Sequence, residues 1–270
     1  MLTQYLYSIL LGIIQGITEF IPISSSGHLV VLHNIFPQAG INELTFDIVL
    51  HFGTLCAVVI YFFKDLKAIL INWLKSIVKQ EMSPEAKLGW LLILATVPAV
   101  LAGYFFESYI EAFLRSNLVV AAMLVIIGLF FILAEKYALH QNESEKIGWK
   151  QALLIGVAQA VALIPGTSRS GITIIAGMST KLKREAAVRF SFLMSVPVIF
   201  GATIKKIPPM SIGAIFAQDV FNFILGFIMS FIFGFIAIKY LLIYVKNNSL
   251  NVFAYYRFLL AVIILAIWFF

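Results

Sequence analysis

Two short stretches of the chain place polar and ionisable side chains where the surrounding sequence is almost wholly apolar. The first reads Gln15-Gly-Ile-Thr18-Glu19-Phe-Ile-Pro22-Ile-Ser24-Ser25-Ser26-Gly27-His28, and the second reads Gln159-Ala-Val-Ala-Leu-Ile-Pro165-Gly166-Thr167-Ser168-Arg169-Ser170-Gly171-Ile-Thr173. Glu19 is the sharpest signal, because an ionisable group at membrane depth is costly and faces a cavity or a partner. Gln15 lies four residues earlier on the same helix face. Hard oxygen donors of this kind suit Mg²⁺ or Ca²⁺, above all when phosphates complete the shell, so Glu19 and Gln15 are the candidate metal residues. Ser24, Ser25 and Ser26 offer hydroxyls beside Gly27, and His28, three residues after Ser25, is a base within reach of a serine on a first helical turn. Helix starts at these serines would also turn free amides toward an anion. In the second stretch, Arg169 carries a fixed charge with a fork suited to phosphate. Gly166, Thr167, Ser168, Ser170, Gly171 and Thr173 surround it with small residues and donors through which backbone amides approach an anion.

The plainer readings are an N-capping serine with an interior histidine, and an arginine paired with Glu19 and no ligand. Neither accounts for the Gly and Ser that accompany both charges. Other polar residues carry less. His51 fits an interior histidine as well as a site residue, His33 and His140 fit the membrane interface, and Asp47 and Asp219 fit helix capping.

The elements that must hold these residues follow from composition. The chain has 270 residues, of which 61% are hydrophobic and 12% charged, and its mean hydropathy is +1.00. A soluble protein of this size has no interior large enough for that much apolar side chain, so the bilayer is its solvent. The net charge of +6 comes from Lys and Arg in short gaps between apolar runs, which is a topology signal and no argument for nucleic acid. Cys56 is the sole cysteine, which excludes an intrachain disulfide and a cysteine metal cluster. Residues 1–21 lack a basic leader and a cleavage site and read as retained structure.

Apolar runs at 45–63, 88–106, 117–135, 187–204, 216–241 and 252–270 are each long enough to cross a bilayer. Shorter helical pieces at 2–21 and 25–36, and at 150–164 and 170–180, are joined pairwise by the Pro/Gly/Ser breaks. Broken backbone at membrane depth survives only when it is buried in protein or lines a cavity, so each pair is expected to form a re-entrant hairpin. The resulting fold class is an all-α polytopic membrane protein with about six crossings and two re-entrant hairpins. Each half then holds a hairpin and three crossings, and this odd number inverts the second copy relative to the first. The whole is read as one membrane domain, 1–270, with halves near 1–140 and 148–270 divided by the polar stretch 141–150. Lys64, Lys67, Lys75, Lys79 and Lys87 place the gap after the first crossing in the cytoplasm. Glu107 and Glu111 then fall outside and Lys181, Lys183, Arg184 and Arg189 inside, whereas Lys205 and Lys206 go against the pattern.

Gln15-x-x-x-Glu19, Pro22-x-Ser-Ser-Ser-Gly27-His28 and Pro165-Gly-Thr-Ser-Arg-Ser-Gly171 resemble the motifs of the bacterial undecaprenyl-diphosphate phosphatases, the bacitracin-resistance family. The resemblance covers the whole chain and includes Tyr256-Arg257-Phe258 near its end. It implies removal of the terminal phosphate of undecaprenyl diphosphate, which recycles the lipid carrier for peptidoglycan synthesis and confers bacitracin resistance. It further implies catalytic roles for Glu19, Ser25, His28 and Arg169, and a location in the bacterial inner membrane. Gln15 stands where many members carry Glu. The phosphatidic-acid-phosphatase superfamily, by contrast, is excluded by Ile175, which occupies the place of its histidine. The expected partners are a polyprenyl diphosphate and membrane lipids, with a homodimer compatible with the sequence. The competing class is an inverted-repeat carrier or flippase of a lipid phosphate or other anion.

Overall fold

The computed structural model describes residues 2–35, 43–138, 146–206 and 220–269, and His140, Asp219 and the first half of the 141–150 boundary fall outside them. The elements are α1 (Leu2–Phe20), α2 (Ser25–Ile35), α3 (Glu43–Tyr61), α4 (Phe63–Val78), α5 (Pro84–Phe113), α6 (Asn117–Ala138), α7 (Trp149–Val161), α8 (Arg169–Ser179), α9 (Arg184–Lys206), α10 (Val220–Tyr244) and α11 (Asn251–Phe269). Within α5, α6, α9, α10 and α11 lie five stretches long and apolar enough to cross a membrane, matching five of the expected crossings. The protein is therefore an all-α polytopic membrane protein. The four hairpin pieces α1, α2, α7 and α8 are not among those stretches.

The first expected crossing differs. Thr45–Tyr61 passes the same test only together with Phe63–Val78, and the two are bent by 79°. The chain turns at Phe62, and α4 carries most of the lysines that sequence alone assigned to a loop. Ile69 of α4 is buried, while Leu70, Leu74 and Ile77 are exposed. Apolar and basic residues sharing one short helix are ordinary helix formers, so the gap orders as a helix. α5 is longer than expected because its start is well capped. Ser83 accepts a hydrogen bond from the Ala86 amide and Pro84 occupies the first helical position, where its missing N–H costs nothing.

The hairpin helices pack in an exchanged pattern. α1 of the first half lies against α10 of the second, and α7 of the second half lies against α5 of the first. The glycines that correspond in the two motifs make these contacts. A Cβ on Gly12 would stand 2.6 Å from the Gly226 carbonyl oxygen, and one on Gly156 would stand 2.5 Å from that of Ala95. Both glycines thus let a helix backbone approach its neighbour without a side chain between them. A large apolar cluster beneath the breaks includes Phe20, Phe131, Ile174, Phe190 and Phe192. It sets the end of α1 against α8 and α9.

Candidate active site

Each hairpin breaks in the same way. Ser24 and Ser168, which correspond in the two motifs, both adopt left-handed backbone, with φ of 76° and 69°. That conformation is unfavourable by about 1–2 kcal/mol for a residue with a Cβ. Each serine then caps the helix that follows. The Gly27 amide donates to Ser24 Oγ at 3.3 Å, and the Gly171 amide donates to Ser168 Oγ at 3.2 Å. The paired hydroxyls Ser24–Ser26 and Ser168–Ser170 lie 3.2 and 3.3 Å apart. The capped amides belong to the third residue of each helix. The amides before them have no acceptor within the helix and remain available to an anion.

A buried arginine ties the two breaks together. Arg257, on α11, is fully buried and, among the described residues, gives its hydrogens to main-chain carbonyls only. Nη1 reaches Pro22 O in the first break at 3.4 Å, while Nη2 reaches Gly166 O at 2.9 Å and Thr167 O at 3.0 Å in the second. Nε and Nη2 also reach Leu124 O and Met123 O of α6. The Gly166 amide donates to Ser26 Oγ, a direct link between the breaks. Gly166 itself has φ of +88°, and a Cβ there would meet the Val120 carbonyl oxygen at 2.5 Å, so only glycine fits.

This scaffold brings Glu19, Ser25 and Arg169 together. Glu19 Oε1 accepts from Arg169 Nη2 at 2.7 Å, and Oε2 accepts from Ser25 Oγ at 2.9 Å and from Gln15 Nε2 at 3.1 Å. Glu19 is 9% exposed, and the Arg169 side chain 12%. Their pairing neutralises two charges at membrane depth, where either alone would be expensive. Arg169 is steadied by Ser191, whose carbonyl accepts from Nη1 at 3.4 Å and whose hydroxyl bonds Thr173 Oγ1 at 2.7 Å.

The histidine expected beside Ser25 is turned away from it. His28 Nδ1 lies 2.7 Å from Ser24 O, which can only accept, so Nδ1 carries the proton. Nε2 lies 2.7 Å from Tyr256 Oη, and the two rings stack. The helical geometry of α2 points His28 back over its own first turn, and the Ser25 hydroxyl goes to Glu19 instead. Of the residues expected to hold phosphate, Ser24, Ser168, Ser170 and Thr173 are buried and spend their hydroxyls on capping or packing bonds. Thr167 is buried too, its hydroxyl 3.4 Å from Val161 O. Ser25, Ser26 and Arg169 are the members that keep some exposure.

Sequence reasoning missed Arg257 and Tyr256 as members of this neighbourhood, and left His51 between an interior histidine and a site residue. Only the triplet Tyr256-Arg257-Phe258 gave a sign of the first two. His51 Nδ1 lies 2.5 Å from Gln15 Nε2. Asp47, read as a cap, instead faces His33 Nε2, 3.4 Å from both carboxylate oxygens. Gln15 Oε1 is buried and has no hydrogen-bond partner among the described residues. Gln15 turns its amide nitrogen, not this oxygen, to Glu19, and the Glu19 oxygens take donors from Arg169, Ser25 and Gln15, so Gln15 and Glu19 as placed do not converge as oxygen ligands on a divalent cation. No group of three His, Cys, Asp or Glu side chains able to hold a metal occurs among the described residues.

Residues 8–263 match the family model described as bacitracin resistance protein BacA. The chain belongs to the BacA family. Curated relatives agree along nearly the full length. A protein of Rubrobacter xylanophilus named undecaprenyl-diphosphatase is 42% identical over 270 residues, 98% of both chains. Proteins of the same name from Caldicellulosiruptor bescii and Aliivibrio salmonicida are 44% and 42% identical, covering 96% and 97% of each chain. Membership in the BacA family thus rests on more than the two motifs, since the match takes in four of the five apolar crossings whole and most of the fifth.

Proposed function

We propose that this chain is an undecaprenyl-diphosphate phosphatase that returns undecaprenyl phosphate to peptidoglycan synthesis and so confers bacitracin resistance. The observation that carries the reading is the Ser25 hydroxyl donating to a carboxylate whose other oxygen is held by Arg169. The names of the relatives supply the substrate.

In this mechanism the polyprenyl tail stays in the bilayer and the diphosphate enters between the two breaks. Arg169 and the first amides of α2 and α8 receive the phosphate oxygens, and positioning with fixed charge supplies most of the acceleration. Ser25 Oγ passes its proton to Glu19 Oε2 and attacks the terminal phosphorus. The bridging P–O bond breaks, and its electron pair leaves on undecaprenyl phosphate. Water then attacks the phosphoserine, the Ser25 Oγ–P bond breaks, Glu19 returns its proton to Ser25 Oγ, and inorganic phosphate leaves carrying both protons of the water. His28, locked between Ser24 O and Tyr256, orients the start of α2.

The site works as one unit built from both halves, in a bacterial inner membrane, with the breaks open to the outer side. The carrier reading draws support from the exchanged packing of the two hairpins, a plan shared with secondary transporters. Phosphate release by purified, detergent-solubilised protein separates the two, because no gradient exists there. Wild type is expected to release phosphate and to trap label on Ser25. No release, with anion flux in vesicles, would overturn the reading. Full turnover by Ser25→Ala would exclude the covalent step.

A further inference from the structure

His51, like His28, takes no part in the phosphoryl-transfer steps described above. It sits on α3, partly exposed, with Nδ1 against the Gln15 amide nitrogen. That nitrogen has two hydrogens, and Glu19 Oε2 takes one of them at 3.1 Å. The other goes to His51 Nδ1. Turning the amide over would set Gln15 Oε1 against the Glu19 carboxylate, oxygen to oxygen, in a buried site. Gln15 therefore fixes the tautomer, with Nδ1 accepting and the ring proton on Nε2. No acceptor among the described residues takes that Nε2 proton. The backbone around His51 is pinned as well. Thr54 Oγ1 donates to His51 O at 2.7 Å, and Ser230 Oγ to Leu50 O at 2.6 Å. A ring held by its neighbours, with one unspent donor and partial exposure, is prepared for a ligand acceptor. His28 presents the opposite case, since both of its nitrogens are committed.

We propose that His51 is a neutral hydrogen-bond donor to a non-bridging oxygen of the bound diphosphate, and that Gln15 acts through His51 by holding its tautomer. The inference rests on the phosphatase reading. No bond to His51 forms or breaks, and its proton stays on Nε2 throughout. Its contribution is a fixed dipole aimed at oxygens that gain charge as the bridging bond breaks, the arrangement in which a neutral imidazole is effective.

The test compares His51→Gln, which keeps a neutral N–H donor, with His51→Met, which keeps bulk and loses the donor. Phosphate release from undecaprenyl diphosphate and inhibition by orthovanadate are measured on detergent-purified protein of confirmed melting temperature. His51→Met is expected to lower kcat about 100-fold and to weaken vanadate inhibition similarly, while His51→Gln stays within about tenfold of wild type on both. If His51→Met does not fold, His51→Gln alone decides. A folded His51→Gln protein that loses as much as about 100-fold overturns the proposal, as does a folded His51→Met protein with wild-type turnover and inhibition. Wild type that releases no phosphate sinks the phosphatase reading itself, which is a separate result.

Discussion

The break at Pro22–Gly27 and the break at Pro165–Gly171 share a backbone and differ in nearly every group that does chemistry. Both carry a serine in left-handed conformation that caps the next helix through a glycine amide, and both pair that serine with the hydroxyl two residues on. Yet Glu19 precedes the first break and Leu163 stands at the corresponding place before the second. Ser25 faces Arg169 across the same correspondence. Gln15 is drawn into a network with Glu19 and His51, while Gln159, its counterpart, is buried with neither amide atom bonded among the described residues. The two helix starts are held side by side by Arg257 and by the Gly166–Ser26 bond. In the proposed mechanism the nucleophile, its carboxylate and the guanidinium come from single-site differences between the two stretches.

The largest way to disturb this pairing of unlike copies is to remove what both breaks share. Arg257→Met strips hydrogen-bond donors from carbonyls of each break at once and leaves them buried. Stability is expected to fall by about 3 kcal/mol or more, read as a large drop in melting temperature in detergent. An unchanged melting temperature would mean the breaks hold themselves. The next effect should be one-sided. Gln15→Leu is expected to lower phosphate release about 100-fold by freeing His51 and taking a hydrogen-bond donor from Glu19. Gln159→Leu should keep activity and hold or raise the melting temperature, because it removes buried polar atoms without partners. Equal losses from both would deny that the copies have diverged. The smallest effect should be symmetrical. Ser24→Gly and Ser168→Gly each relieve left-handed strain and give up a cap, and should each stay within about 1 kcal/mol of wild type and of one another. Opposite shifts would show that the shared backbone is coincidental.

How far the sequence carried the fold follows from where each signal lies. Crossing helices and hairpins were legible because apolar length and Pro/Gly/Ser breaks are local properties. Glu19, Ser25 and Arg169 were legible because a charge or a run of hydroxyls inside apolar sequence is costly unless a site or a partner uses it. The bend at Phe62 was not, since Phe62 and Phe63 continue an apolar run and α4 breaks away without Pro or Gly. Arg257 was not, because its acceptors are main-chain carbonyls of Pro22, Met123, Leu124, Gly166 and Thr167, which carry no side-chain signature. The partner of Ser25 was misplaced for a related reason. Spacing along α2 set His28 within reach, but only the folded hairpin shows the Glu19 carboxylate arriving from α1.

Whether one phosphate site is divided between the two breaks is decided by a double-mutant cycle on phosphate release. Glu19→Gln, Arg169→Gln and the double variant are compared in detergent with wild type. Groups acting as one unit lose their function together, so the double variant should fall no more than about tenfold below the worse single variant. Losses that multiply across the two substitutions would show that the halves act independently, and would contradict a single divided site.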